Sequence, residues 1–249
     1  MSRGVPAAKR EATRLVAVVL LPSSLSSDTR MLRAGVQTPG GVMVDELGSP
    51  QGSIVSPVIV NIFLDHVLDQ WFSQVVCHHC RGYCSLIRYA EDTVVLFERE
   101  DDAQRFMRVL PLRLEKFGLT LNQAKTKLLR FGKRPAWQAL KGGTKLATFD
   151  FLGFTHYWGR SRMGKARLKR KTSKKRLRRA LKNLKPWLRQ VRNTRKLPQL
   201  WQAIGSKMRG HFNYFRVTDN GQALFQFERA VHHLLFKWLN RRSQRRSFT

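Results

Sequence analysis

Glu91 and Asp92 stand side by side between two apolar, partly β-branched segments, Leu86-Ile87-Arg88-Tyr89 and Thr93-Val94-Val95-Leu96-Phe97. Strand, break and strand in that order predict a hairpin with its acids at the tip. Adjacent carboxylates on a rigid turn suit Mg²⁺, which takes one or two protein carboxylates and completes its shell from phosphates and water. Two such ions, roughly 3.5–4 Å apart, serve in-line displacement at phosphorus by stabilising both the attacking and the leaving oxygen. For a lone Glu-Asp pair the bland alternative is a charged turn in solvent.

A second constellation is basic. Arg160, Arg162, Lys165, Arg167, Lys169, Arg170, Lys171, Lys174, Lys175, Arg176, Arg178 and Arg179 crowd into twenty residues with no acid among them. The 249 residues carry 47 Lys and Arg against 16 Asp and Glu, a formal +31. Residues 160–249 hold 27 of those bases and 2 acids, a net of +25, whereas residues 1–159 hold 20 and 14, a net of +6. Such a surplus repels itself unless a polyanion is bound, and phosphate contacts are its natural use. The alternative for 160–173, where apolar residues are few, is a disordered basic linker.

Cys77, Cys80 and Cys84, with His78 and His79 between them, are half of a structural zinc site. No second Cys-x-x-Cys or His pair stands at a matching distance, so no zinc is expected, and the segment reads as a loop with partly buried thiols leading into a strand. Three cysteines make no disulfide framework. The apolar Leu15 to Leu21 after Arg3, Lys9, Arg10 and Arg14 outlines a short signal, yet no small-x-small cleavage site follows. No apolar run approaches the roughly eighteen residues of a membrane span, so a cytoplasmic location without membrane partners is expected.

Several elements must position these residues. Ser56-Pro57 opens a helix with Val60, Phe63, Leu64, Val67, Leu68, Trp71 and Phe72 on one face. After the acidic hairpin, Asp101 and Asp102 are placed to cap a helix carrying Phe106, Val109, Leu110 and Leu114, ended by Phe117-Gly118. A strand pair is expected around Lys127–Phe131 and Phe149–Phe154. In the basic third, Leu177, Leu181, Leu184, Leu188 and Val191 form a helical stripe that Pro186 kinks or interrupts. Trp201, Ile204, Met208, Phe212 and Phe215 form a second stripe, and Leu224, Phe227, Val231, Leu235 and Trp238 a third, separated by Asp219-Asn220-Gly221. Three amphipathic helices of this kind pack as a small bundle.

The motifs together resemble one family. Gly48-Ser49-Pro50-Gln51-Gly52-Ser53-Ile54-Val55-Ser56-Pro57, followed by Asn61-Ile62-Phe63-Leu64, closely resembles the fourth sequence block of reverse transcriptases encoded by bacterial group II introns. Arg88-Tyr89-Ala90-Glu91-Asp92 is similar to their Tyr-x-Asp-Asp block, Gly118-Leu119-Thr120-Leu121-Asn122 with Lys125-Thr126-Lys127 to the sixth, and Phe151-Leu152-Gly153-Phe154 to the seventh. Arg209-Gly210-His211-Phe212-Asn213-Tyr214-Phe215 and Arg241-Arg242-Ser243-Gln244-Arg245-Arg246-Ser247 resemble the maturase region, or domain X. Order and spacing agree from residue 28 to the end.

The resemblance implies an α+β chain: an atypical segment 1–27, a partial reverse-transcriptase palm over 28–155, a basic linker over 156–173, and a thumb-like maturase bundle over 174–249. It further implies that Glu91 and Asp92 are the catalytic and Mg²⁺-binding acids, that Pro50, Gln51, Gly52, Tyr89 and Lys125 contact substrate, and that Phe151, Leu152, Gly153 and Phe154 form a primer-grip-like turn. RNA would be held by Arg167, Lys169, Arg170, Lys171, Lys174, Lys175, Arg178, Arg179, Arg209 and His211. The implied partner is group II intron RNA, with an RNA/DNA duplex as a further one; no oligomeric state is read. Two departures count against autonomous polymerisation. The family takes another metal-binding Asp from a strand upstream of the Pro-Gln-Gly block, and residues 1–27 offer only Glu11, at no convincing strand end. Glu91 stands where the family has Asp, and a displacement of about 1 Å in a reacting group can cost on the order of a hundredfold. Truncation at both ends is expected, since family members also continue past the Arg241-Arg242-Ser243-Gln244 stretch. The other readings are a non-catalytic basic RNA-binding protein and a decayed retroelement fragment.

Overall fold

The computed structural model describes the strand backbones 16–20, 36–38 and 41–43, and residues 56–144 and 146–242. Pro50, Gln51 and Gly52, and the basic stretch after Arg242, lie outside the described residues. Two compact units are present: Met1–Ala147 with Arg160–Ala166, and Thr148–Gly159 with Arg167–Thr249.

The first unit is built on an antiparallel sheet. Its strands are β1 (Val16–Leu20), then, after the small hairpin β2 (Val36–Thr38) and β3 (Gly41–Met43), β4 (Cys84–Tyr89), β5 (Asp92–Phe97) and β6 (Lys127–Arg130), in the order β4-β5-β1-β6. Strand β1 runs between β5 and β6, pairing Val18 with Val95 on one side and with Leu128 on the other. The segment set apart as 1–27 therefore gives the sheet a central strand. Val16-Ala17-Val18-Val19-Leu20 shows no polar alternation, and such a run cannot be told from a signal-like stretch by pattern alone.

Helix α1 (Ser56–Leu64) continues without a break through π-helical stretches Asp65–Gln70 and Phe72–Val76 into the short turn α2 (Cys77–His79). Its Val67, Leu68 and Phe72 meet Val95 and Phe97 of β5. Helix α3 (Glu100–Glu115) closes the core with Ala103, Phe106, Leu110 and Leu114. Burying a side chain of this size stabilises by about 1.5–3 kcal/mol. The capping expectation is corrected: Arg99 is the N-cap, and Asp102 instead accepts from the Arg81 and Gly82 backbone N–H groups at 3.1 and 3.0 Å and pairs with Arg105. Val109 lies outside the buried face. Helix α4 (Lys133–Lys141) was not expected; its Pro135 reads as a breaker but sits in the first turn, where proline is tolerated.

The second unit holds β7 (Phe149–Phe151), β8 (Phe154–Arg160) and β9 (Ala166–Thr172) in that order, followed by α5 (Lys174–Val191), α6 (Leu197–Phe215) and α7 (Gly221–Leu239). The expected pairing of Lys127–Phe131 with Phe149–Phe154 does not occur: β6 completes the first sheet and β7 pairs with β8. The stretch read as a basic linker is mostly two strands. Its low apolar content misled because β9 is half exposed and needs few buried residues. Helix α5 runs through Pro186 uninterrupted, the lost hydrogen bond being outweighed by burial of Leu184, Leu188 and Val191. The three stripes meet with one correction: Trp201 is exposed and its neighbour Leu200 is buried in its place, beside Ile204, Phe227, Val231, Leu235 and Leu239 in the bundle core.

Asn220, fully buried, fixes β9 to this bundle. Its Oδ1 accepts from the Thr172 N–H at 2.7 Å, and its Nδ2 donates to Thr172 Oγ1 at 2.7 Å and to the Phe215 carbonyl at 2.8 Å. Ser173 caps α5 by accepting from the Arg176 N–H at 3.3 Å.

Candidate nucleic-acid interface

The acidic hairpin forms as expected. Tyr89 pairs with Asp92, leaving Ala90-Glu91 as a two-residue turn. Ala90 takes φ 52°, a left-handed conformation that costs an L residue roughly 1–2 kcal/mol and must be held by its surroundings. Arg88 holds it. Its Nη1 donates to the Ala90 carbonyl at 3.1 Å and to Asn61 Oδ1 at 2.8 Å, while Nε and Nη2 fork onto Asp69 at 2.7–2.9 Å. The tip is thereby tied to the long helix, with Glu91 and Tyr89 exposed. Asn61 and Asp69 were missed by pattern reading because nothing in their spacing reveals an Arg88 partner 19 to 27 residues away. Lys125 is exposed in a turn, its N–H donating to the Asn122 carbonyl at 3.1 Å.

Whether this tip fits Mg²⁺ for two-ion chemistry depends on neighbouring carboxylates. Register places Leu20 of β1 opposite Thr93, next to Asp92. The strand that could deliver a further acid beside the tip thus ends in leucine. Asp69 is engaged by Arg88, and among the described residues no group of three or more His, Cys, Asp or Glu could hold a metal ion. Among the described residues, Glu91 and Asp92 alone do not make up the carboxylate set of a two-ion site.

The second unit presents the basic surface. Arg167, Arg170 and Lys171 on β9 and Lys174, Lys175, Arg178 and Arg179 on α5 are exposed, and Lys169 is half-buried. Lys171 lies over the Tyr157 ring at 4.8 Å, and the Lys169 stem crosses Gly159. Arg209 is exposed on α6 and bonds Ser206. His211 is different. Its ring stacks on Phe227 at 3.7 Å, Nε2 is buried without a partner, and burial pushes its pKa down, so it is a neutral member of the bundle. The expected RNA contact through His211 would have to come from Nδ1, since Nε2 is buried.

Phe151-Leu152-Gly153-Phe154 closes the β7–β8 hairpin, with both Leu152 (φ 49°) and Gly153 (φ 79°) left-handed as a type I′ turn requires. Leucine is strained there and is fixed from outside: the Tyr214 hydroxyl donates to the Leu152 carbonyl at 3.0 Å, and the Ser173 N–H to that of Gly153 at 2.9 Å. Phe154 stacks on Tyr214 and meets Phe215 edge-on. This turn therefore packs with the helical bundle.

The cysteine segment is helical at Cys77, with Cys80 ending the helix and Cys84 starting β4. The Cys84 thiol donates to Cys77 Sγ at 3.2 Å. Burial raises the pKa of both Cys80 and Cys84, which keeps them protonated and poor ligands or nucleophiles.

A sheet with an acidic hairpin on a helix-packed core, and a separate basic bundle, define a nucleic-acid-handling protein with a polymerase-type palm. Residues 19–156 match the reverse transcriptase (RNA-dependent DNA polymerase) family, and residues 177–249 match the group II intron maturase-specific domain. The chain belongs to the reverse transcriptase family, as a group II intron reverse transcriptase/maturase. The β-hairpin strands from Tyr157 to Thr172 fall between the two matches. Among solved structures, a telomerase from Candida albicans in complex with a TWJ fragment of telomeric RNA is similar at 15% identity and a TM-score of 0.38, over 84% of this chain and 32% of that one. The chain thus spans about a third of that protein's length. No curated protein matches. No helix among the described residues is long and apolar enough to cross a membrane.

Proposed function

We propose that this chain works in the cytoplasm as the intron-binding, maturase side of a group II intron element, holding structured intron RNA, and that it does not polymerise DNA on its own. The observation that carries this reading is the positive surface of β9 and α5 on an ordered bundle, whose bases have no carboxylate partner among the described residues. Arg167, Lys169, Arg170, Lys171, Lys174, Lys175, Arg178, Arg179 and Arg209 are the contacts. An ordered strand and helix hold their charges at fixed spacing, so shape and backbone recognition of folded RNA can exceed what a flexible polycation achieves. The family generally uses Mg²⁺; in this reading Glu91 and Asp92 are remnants of that metal site, and Pro50, Gln51, Gly52, Tyr89 and Lys125 of its substrate contacts. An RNA/DNA duplex is the secondary partner, bound through the same surface.

Binding of intron RNA and of random RNA of equal length, measured against salt, tests this. With about six to ten phosphate contacts at 0.7–0.9 each, log affinity should fall against log salt with a slope of roughly −4 to −9. Replacing Lys174, Lys175, Arg178 and Arg179 together by Gln should flatten that slope by about three or four. Intron RNA should win at moderate salt. Equal affinity for both RNAs at every salt concentration would reduce the protein to a generic polycation and end the maturase reading.

A further inference from the structure

Where α5 meets the end of α6, the second unit contains a recess of about 390 Å³ lined by Arg176, Arg179, Ala180, Asn183, Tyr214 and Phe215. Positions 176, 179, 180 and 183 recur at three- and four-residue spacing, so they share one face of α5, beside the Leu177–Leu184–Leu188 stripe that faces the core. The volume falls in the roughly 300–1,000 Å³ range of small-ligand sites. Its chemistry is unlike the rest of the basic surface, because an aromatic ring and a carboxamide accompany the charge.

Three features make the recess ready for a ligand. Tyr214 is held in place: its hydroxyl is bonded to Leu152, one side of its ring is stacked on Phe154, and Phe215 meets it edge-on, yet the residue remains 56% exposed. An aromatic ring fixed from behind and open in front is a stacking platform. Arg176 and Arg179 have no carboxylate partner among the described residues, and Gly153, lacking a side chain, leaves Arg176 room to pass within 3.4 Å of where a Cβ would stand. The Asn183 carboxamide makes no hydrogen bond among the described residues, so both its donor and its acceptor are free to meet a base edge. Arg176 also lies in the first turn of an 18-residue helix, whose N-terminal end favours anions.

We propose that this recess is a nucleotide pocket, in which an unstacked RNA base lies on the open face of Tyr214 with its edge at Asn183 and its flanking phosphate between Arg176 and Arg179. This rests on the RNA-binding reading above and adds a demand for single-stranded RNA at one point of the interface. A duplex cannot satisfy it, because its bases are stacked and paired.

The test compares the full chain with Tyr214→Ala and Tyr214→Phe on three fluorescent or competing probes: a single-stranded RNA dodecamer, a blunt RNA duplex of equal strand length, and inorganic polyphosphate. Both variants lose the hydroxyl bond to Leu152, and only Tyr214→Ala loses the ring. Tyr214→Ala should weaken single-stranded binding by about 5- to 150-fold, the range over which base–aromatic stacking acts. Tyr214→Phe should stay within about twofold, and neither variant should change duplex or polyphosphate binding. Thermal unfolding of both variants establishes that the bundle is intact. An unchanged affinity of Tyr214→Ala for single strands would overturn the pocket, and so would equal weakening on all three probes. If wild type binds intron RNA in preference to random RNA while Tyr214→Ala loses nothing, only the pocket falls. If wild type binds no RNA, both readings fall together.

Discussion

Asn220→Ala should loosen the second unit more than any surface substitution, because one side chain there satisfies three buried groups. The Thr172 N–H and Thr172 Oγ1 lose this partner at 2.7 and 2.7 Å, and the Phe215 carbonyl loses one at 2.8 Å and keeps only the Val217 N–H. At about 0.5–1.5 kcal/mol net per hydrogen bond, the loss is roughly 1.5–4.5 kcal/mol, the upper end applying if no water enters. Asn220→Asp isolates the mechanism. It keeps the acceptor for the Thr172 N–H but turns an oxygen toward the Phe215 carbonyl and buries a charge with no cation to pair it, so it should be worse than alanine despite its near-identical shape. Urea unfolding of the second unit gives the free energies, and amide exchange at Thr172 reports the local opening. Asn220→Ala within about 0.5 kcal/mol of wild type, or Asp no worse than Ala, would refute the reasoning.

Arg88→Lys should release the Ala90 carbonyl and the forked contact with Asp69, since an ammonium cannot reproduce the fork; a loss of about 1–3 kcal/mol and faster exchange at the hairpin turn are expected in urea and exchange measurements. His211 has its pKa depressed by burial, so the unfolded chain binds the proton first. Its contribution is complete above the ordinary value of 6.5 and is lost as pH falls below it; Tm against pH should therefore flatten in His211→Phe, and an unchanged profile would remove the assignment. With Mg²⁺ the chain should not extend a primer on an RNA template, and Glu91→Asp should not restore extension, because Leu20 still ends β1 beside the tip; extension abolished by Asp92→Ala would contradict this. Elemental analysis should find no stoichiometric zinc, and about one equivalent lost on Cys80→Ser would reverse the reading of the thiols.

Patterns of short range were legible in the sequence alone. The acidic hairpin, the helix through Val67 and Phe72, and the three stripes from Leu177 to Trp238 could be read because each is set by a period of two or 3.6 that local residues repeat. The family followed from ordered motifs, and the basic surface from charge count. What depended on partners far along the chain was not legible. Strand pairing is one case: β1 and β6 look no different as strings whether they pair with β5, with each other or with β7, and only the strand order of the folded sheet decides. The conversion of a basic linker into β8 and β9 is another, since Thr172 and Asn220, 48 residues apart, supply the anchor that composition lacks. His211 illustrates the same division at a single residue. Its place in a basic motif predicts a contact with RNA, while partial burial, stacked on Phe227, lowers its pKa, because the energy of an ionisable side chain is set by its surroundings.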